Sequence, residues 1–252
     1  MRCPVCRSLL LGQTYLLMFG EVMCAQCHQW TGEFEEIPVA ETPKTKLRWL
    51  TFVLDESGSM HSVRDDTEGG LRAFLDTQKE VDGNTLVTLV RFSNDVSTVY
   101  SRVLLADVPD HRMRPTARTA LLDAIGSTIA QTQAAIIGLP LAEQPDEVVF
   151  VVLTDGRENE SKDWNLQNVR DIVKEVRKLG WVVYFLGAEE NAIQVATNMG
   201  MDPGTASSYA SSNTGHTIAV AGTSVARGSQ TGVHGFAHGE RVSMTKKGDA
   251  QP

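Results

Sequence analysis

At 252 residues, 42% of them hydrophobic and 21% charged, the chain has the composition of a soluble globular protein and room for one good core plus a small accessory module. A formal net charge of −8 argues against a general nucleic-acid binder. No apolar run reaches the length of a membrane span, and the mostly apolar stretch 9–19 lies between two cysteine pairs without a signal-peptide pattern.

The first element is a pair of Cys-x-x-Cys motifs, Cys3/Cys6 and Cys24/Cys27, which use every cysteine of the chain. Their separation matches structural zinc sites, in which four thiolates close a tetrahedron around Zn²⁺. Leu9–Met18 and His28–Ile37 read as an outgoing and a returning strand with Gly20 at the turn, so the segment resembles a zinc ribbon. A module of about 40 residues buries too little core by itself, and the metal would supply folding energy. His28 directly after Cys27 also fits c-type haem attachment, but that chemistry needs export and leaves Cys3 and Cys6 unexplained. A rubredoxin-like iron centre shares the four-sulfur geometry, but the glycine typical of that family follows neither pair. A disulfide or unligated thiols are the remaining readings. Paired cysteines of this kind fit a reducing, cytoplasmic setting.

The polar stretch 37–46, with Pro38 and Pro43, marks a spacer and a domain boundary. Beyond it, Trp49–Leu54 is a continuous apolar run that predicts a buried, parallel strand. It leads directly into Asp55, Ser57 and Ser59. Open α/β sheets place their ligands on loops at the carboxyl ends of strands. One carboxylate and two hydroxyls at alternate positions can turn their oxygens toward one point, as a hard cation such as Mg²⁺ requires.

Val63–Val81 carries a helical pattern with Leu71, Phe74 and Leu75, weakened by Gly69 and Gly70. Leu86–Phe92 and Val96–Leu105 read as a strand and its hairpin partner around a turn at 93–95. Pro109–Arg118 is a basic loop whose Arg112, Arg114 and Arg118 suit either an anionic partner or plain solvation. It runs into a helix predicted over Thr119–Ile137, near whose start Asp123 favours the helix dipole and is given no metal role. Val148–Leu153 is a second buried strand, ending in Thr154 and Asp155. An amphipathic helix at Asn165–Leu179, a strand at Val182–Leu186, a short helix at Asn191–Met199, a last strand at Ser207–Ala210 and a helix at Thr217–Ala226 follow. From Gly228 the Gly, Ser, Thr and Lys content predicts disorder, and the glycines around His234 and His238 speak against a helix that would turn both toward one metal. Strands alternating with helices predict a parallel sheet covered on both faces, with the hairpin as an antiparallel edge.

Three of these segments taken in order, Asp55-x-Ser57-x-Ser59, Thr119 before a helix, and Asp155 in a Thr-Asp-Gly context, resemble the von Willebrand factor A domain. That family's metal-ion-dependent adhesion site uses D-x-S-x-S after the first strand, a distant Thr and a distant Asp. The resemblance spans Lys46 to Ala210 and implies a Rossmann-like, doubly wound, mostly parallel sheet. It also implies Mg²⁺ (or Mn²⁺) anchored chiefly by Asp55. Ser57 and Ser59 would be direct ligands, Thr119 a state-dependent one, and Asp155 a ligand acting directly or through water. An Asp or Glu of a protein partner would complete the coordination. The residues suit that role, since two acids offset a divalent charge and hydroxyls and water fill the rest. A D-x-S-x-S loop alone would otherwise be a helix cap.

Aspartyl-phosphate phosphatases also end a buried strand in an acid, but they need a second acid two residues on, where this chain has Ser57. Neither a P-loop nor a G-x-S-x-G elbow is present, and His61 by itself specifies no base. The expected organisation is a zinc ribbon at 1–37, a linker at 38–46, an A-type domain at 47–226 and a disordered tail at 227–252. The expected function is that of a cytoplasmic, non-enzymatic binding module, with no membrane partner. A metal-dependent phosphohydrolase and a structural component of a phage or secretion assembly are the alternatives. Glu21, Glu33, Glu35 and Glu36 outnumber Arg2 and Arg7, so the ribbon is expected to contact protein rather than nucleic acid.

Overall fold

The computed structural model describes residues 15–18, 21–24, 30–31, 45–116 and 118–246. The chain divides into two units at Lys44/Thr45. In the first, β1 (Tyr15–Met18), β2 (Glu21–Cys24) and β3 (Trp30–Thr31) form an antiparallel sheet in that order. Met18 pairs with Glu21, and Val22 pairs with Thr31. The expected pairing of Leu9–Met18 with His28–Ile37 is therefore corrected. Val22 and Met23 have the strand propensity to supply an intervening strand, and Trp30–Thr31 pairs with that strand rather than with β1. Cys24 ends β2, while Cys3, Cys6 and Cys27 lie outside the described residues.

The second unit is a six-stranded sheet of β4 (Leu47–Asp55), β5 (Asn84–Phe92), β6 (Val96–Leu104), β7 (Glu147–Thr154), β8 (Val182–Gly187) and β9 (Ala206–Ser208). Their order is β6-β5-β4-β7-β8-β9, parallel throughout except for the β5–β6 hairpin. The apolar runs of β4 and β7 are continuous because helices cover both faces of the sheet. Along β7, Val148, Phe150 and Val152 enter one core while Val149, Val151 and Leu153 enter the other. The first core is completed by α2 (Leu121–Ile137), α3 (Leu166–Lys178) and α4 (Ala192–Asn198). The second is completed by α1 (Arg64–Gln78), α5 (Thr214–Thr231) and α6 (His238–Thr245). Among the described residues no helix is long and apolar enough to cross a membrane.

α1 and α5 approach closely, and glycines make the approach. A Cβ on Gly70 would lie 2.7 Å from the Gly215 carbonyl oxygen, and one on Gly222 would lie 2.9 Å from the Phe74 Cα. Asp66 in the first turn of α1 accepts the Gly215 N–H at 2.7 Å. The small residues of α5 are thus an adaptation to packing.

Of the tail expected to be disordered from 227, residues 227–246 are ordered, and 247–252 lie outside the described residues. α5 continues to Thr231 and α6 follows, with Phe236 and Met244 entering the second core. The Ala210 N–H donates to the Met244 carbonyl at 3.0 Å, returning α6 to the end of β9. His234 is drawn inward, its Nε2 3.1 Å from Glu147 and its Nδ1 3.2 Å from the Tyr184 hydroxyl.

At the amino ends of the strands lies a buried polar network. Arg48, 2% exposed, donates to Thr85 Oγ1, Gln78 Oε1 (3.0 Å) and Ser229 Oγ (2.9 Å). Ser229 Oγ donates in turn to Glu147 at 2.9 Å, and Lys46 Nζ lies 2.8 Å from the same carboxylate. Burial works to raise the Glu147 carboxyl, but hydrogen bonds from His234, Lys46 and Ser229 outweigh it and hold the group at about 2.

Candidate metal centre

The register of the two central strands assembles the crevice. Leu54 lies opposite Leu153, so Asp55 and Thr154 emerge side by side at the carboxyl ends of β4 and β7. This is the switch point of the sheet, because the crossover from β4 to β5 goes one way and that from β7 to β8 the other. Thr154 Oγ1 donates to Asp55 Oδ2 at 2.6 Å, and the Ser57 N–H donates to Asp55 Oδ1 at 2.7 Å. Ser57 Oγ is 3.1 Å from Ser59 Oγ, which donates to Asp155 Oδ1 at 2.5 Å. Fully buried Met60 pins the far end of this loop in the second core.

Thr119 reaches the same crevice from the other side. A Cβ on Gly156 would meet Thr119 Oγ1 at 3.0 Å and Ser57 Oγ at 3.8 Å, which places both hydroxyls around that glycine. Thr119 stands two residues ahead of α2 rather than at its first turn, since helical geometry begins at Leu121. All five residues singled out in the sequence therefore face one crevice.

Electrostatically the crevice holds two acids without a cation. Among the described residues neither Asp55 nor Asp155 forms an ion pair. Burial pushes the Asp55 carboxyl up to about 6, against the hydrogen bonds from Thr154 and Ser57, and the neighbouring Asp155 adds to the rise. Asp155 is also raised by burial, against its bond from Ser59. Two carboxylates destabilised in this way, with three hydroxyls within reach, form the all-oxygen donor set that suits a hard divalent cation. They include no sulfur or imidazole ligand that would favour a softer metal.

The supporting contacts were not legible in the sequence. Glu56, buried directly after Asp55, meets His111 Nε2 at 2.6 Å and accepts the Arg114 N–H at 3.1 Å. Glu68 on α1 accepts the Met113 N–H at 2.9 Å and pairs with Arg112 at 2.7 Å. These two carboxylates fasten the 109–118 loop that delivers Thr119. Of the three arginines of that loop, Arg112 pairs with Glu68 and Arg118 with Glu160 at 2.5 Å, while Arg114 is exposed.

A second set ties the loop after Asp155 to the start of α2. Asn159 Oδ1 accepts the Thr119 N–H at 3.0 Å, and Glu158 accepts the Leu122 N–H at 2.8 Å. Asp123, assigned only to the helix dipole above, accepts N–H bonds from Lys162, Asp163 and Trp164 at 2.7–3.0 Å. Thr119 and Asp155 are thereby held by one fabric. Asp123→Ala is expected to leave three N–H groups without their acceptor, costing about 2 kcal/mol of stability and about tenfold in divalent-cation affinity. Parallel urea melts and Mn²⁺ titrations check this; unchanged affinity would assign Asp123 to folding alone.

Comparison with solved structures places the fold among known ones. Proximal thread matrix protein 1 from the mussel byssus superposes with a TM-score of 0.52 at 15% identity, over 71% of this chain and 46% of that one. The von Willebrand factor type A protein from Catenulispora acidiphila gives 0.52 at 14% identity, over 71% and 42%. The pilus adhesin SpaC from Lactobacillus rhamnosus GG, in its open conformation, gives 0.53 at 13% identity, over 73% and 30%. The chain thus spans less than half the length of these proteins, and identities this low establish the fold alone. A search of curated protein sequences finds no match. The model of the von Willebrand factor type A domain matches residues 50–220, more than half of the chain, and this protein belongs to that family.

Proposed function

We propose that this protein is a binding module whose crevice holds Mg²⁺ or Mn²⁺ through Asp55, Ser57, Ser59, Thr119 and Asp155, and that it grips an acidic side chain of a protein partner there. The observation that carries the reading is the hydrogen-bonded chain Thr154–Asp55–Ser57–Ser59–Asp155, which gathers a buried acid, a half-buried acid and their hydroxyls with no cationic side chain paired to either acid among the described residues. A bound divalent ion supplies positive charge and a coordination position open to an incoming carboxylate. The chain's own residues do the rest: Asp55 and Asp155 supply the offsetting charge, the three hydroxyls supply neutral donors, and Thr154 and the Ser57 N–H fix the Asp55 carboxylate in orientation.

A binding role rather than catalysis is proposed because Ser57, at the place where a phosphatase needs its second acid, is committed to Ser59. His61 is exposed and, among the described residues, forms no hydrogen bond with either serine. The four cysteines are proposed to hold Zn²⁺ in a ribbon, and the whole chain to act in the cytoplasm.

The test is an amide NMR titration of the labelled, zinc-loaded protein with Mn²⁺. Expected are loss of signal centred on residues 56–60, 119 and 154–156, and Mg²⁺-dependent retention of a partner from lysate that Asp55→Asn abolishes. Broadening confined to other surfaces, or equal retention by the variant, would overturn the proposal.

A further inference from the structure

Beside the two-acid crevice, and continuous with it, a groove of about 430 Å³ opens between the starts of α2 and α3, the ends of β7 and β8, and α4. Thr154 and Gly156 line both. At this junction a Cβ would lie 3.0 Å from Thr119 Oγ1, so any larger residue would crowd that hydroxyl. The groove is floored by apolar groups, among them Leu121, Leu122, Phe185, Val195 and Met199. Leu166, the first residue of α3, stands at its edge 46% exposed.

The chemistry of the lining selects the occupant. Helix starts attract anions through free N–H groups, but here those of Leu122 and Asp123 are taken by Glu158 and Ser161, and that of Asn168 in α3 by Asn165. Arg157 at the rim is paired with Glu189. No charge is left over for a second anion, whereas the floor offers apolar surface in a volume typical of ligand pockets.

Resting on the metal-crevice reading above, we propose that the groove receives a large apolar side chain of the same partner segment whose carboxylate is held at the crevice. The recognised motif is then an acid flanked by a leucine- to phenylalanine-sized residue, and the groove, not the ion, distinguishes one acidic partner from another.

The probes are acetate, butanoate, hexanoate and 4-phenylbutanoate, titrated into the full labelled chain with and without Mg²⁺. Expected is Mg²⁺-dependent binding of all four, tightening about 2- to 4-fold per added methylene, with amide shifts at Leu166, Gly187 and Val195 for the longer acids only. Leu166→Asp, a residue well tolerated in the first turn of a helix, should leave acetate binding unchanged and erase the gain with chain length. Mg²⁺-dependent acetate binding with no such gain would overturn the groove proposal and leave the metal reading intact. Binding of the longer acids that is equally strong without Mg²⁺ would overturn the linked motif. Failure of acetate itself to respond to Mg²⁺ would sink the metal reading first.

Discussion

Asp55→Asn is expected to stabilise the protein in Mg²⁺-free buffer at pH 7.5 by about 2 kcal/mol while removing its response to Mg²⁺. Asp55 is fully buried, and its carboxyl is raised from 3.8 to about 6 by burial, with a smaller push from Asp155. An acid raised in the fold keeps its proton there between the two values, while the unfolded chain has already released it. Stability is therefore full below about pH 4, falls as pH rises toward 6, and stays lower above. The deficit at neutral pH is about 3 kcal/mol for a difference of this size, at about 1.4 kcal/mol per pH unit. Asparagine removes the charge and keeps the bonds. Its oxygen accepts the Ser57 N–H, and its amide donates to Thr154 Oγ1, whose proton turns to the Gly156 carbonyl 3.1 Å away. Urea melts should show the variant ahead at pH 7.5 and level with wild type at pH 4. Added Mg²⁺ should rescue wild type alone, and its affinity should fall as pH drops below about 6, where protons compete for Asp55. A wild type more stable than the variant without Mg²⁺ would mean that the carboxylate serves the fold.

Arg48→Ala should be severely damaging although it lies far from the crevice, costing about 3–5 kcal/mol. Burial lowers the pKa of the Arg48 guanidinium, with Glu147 opposing, so the charge is tolerated only through its partners. Removal strips Gln78, Thr85 and Ser229 of their donor and takes a positive charge from the surroundings of Glu147. The loss spreads across β4, β5, α1 and α5 at once. Urea denaturation at constant slope measures it; a cost under about 1 kcal/mol would mean that Lys46 and His234 suffice to hold Glu147 and that the network is redundant.

What the sequence disclosed and what it hid follow from the range of the interactions. β4 and β7 were legible because burial on both faces leaves an unbroken apolar run, and Asp55 and Asp155 drew notice because each directly follows such a run, with Ser57 and Ser59 in the loop after the first. Glu56, Glu68, Asp123 and Glu158 were not, because each accepts N–H groups from a distant segment and no local spacing encodes that. Residues 228–246 were misread for a physical reason. Gly and Ser content signals disorder only where backbone and hydroxyls face water, whereas here Gly228 lets His234 lie close against α5 and Ser229 and His234 satisfy buried partners. In the amino-terminal unit, strand propensity was read correctly at Tyr15–Met18 and Trp30–Thr31, but the pairing partner was missed because a third strand lies between them.

The central position of β4 also has a mechanical meaning. The chain enters the domain at Leu47 and reaches the crevice at Asp55, so, on the binding role proposed above, tension between a partner held there and the preceding chain would run along this one strand. β4 is flanked on both sides by parallel neighbours, paired from Leu47 to Asp55 with β5 and from Arg48 to Leu54 with β7. A pull along it loads both ladders in shear, many hydrogen bonds sharing the force together, rather than peeling them one by one from an edge. The strand that presents Asp55 is thus held against such a pull on both of its edges.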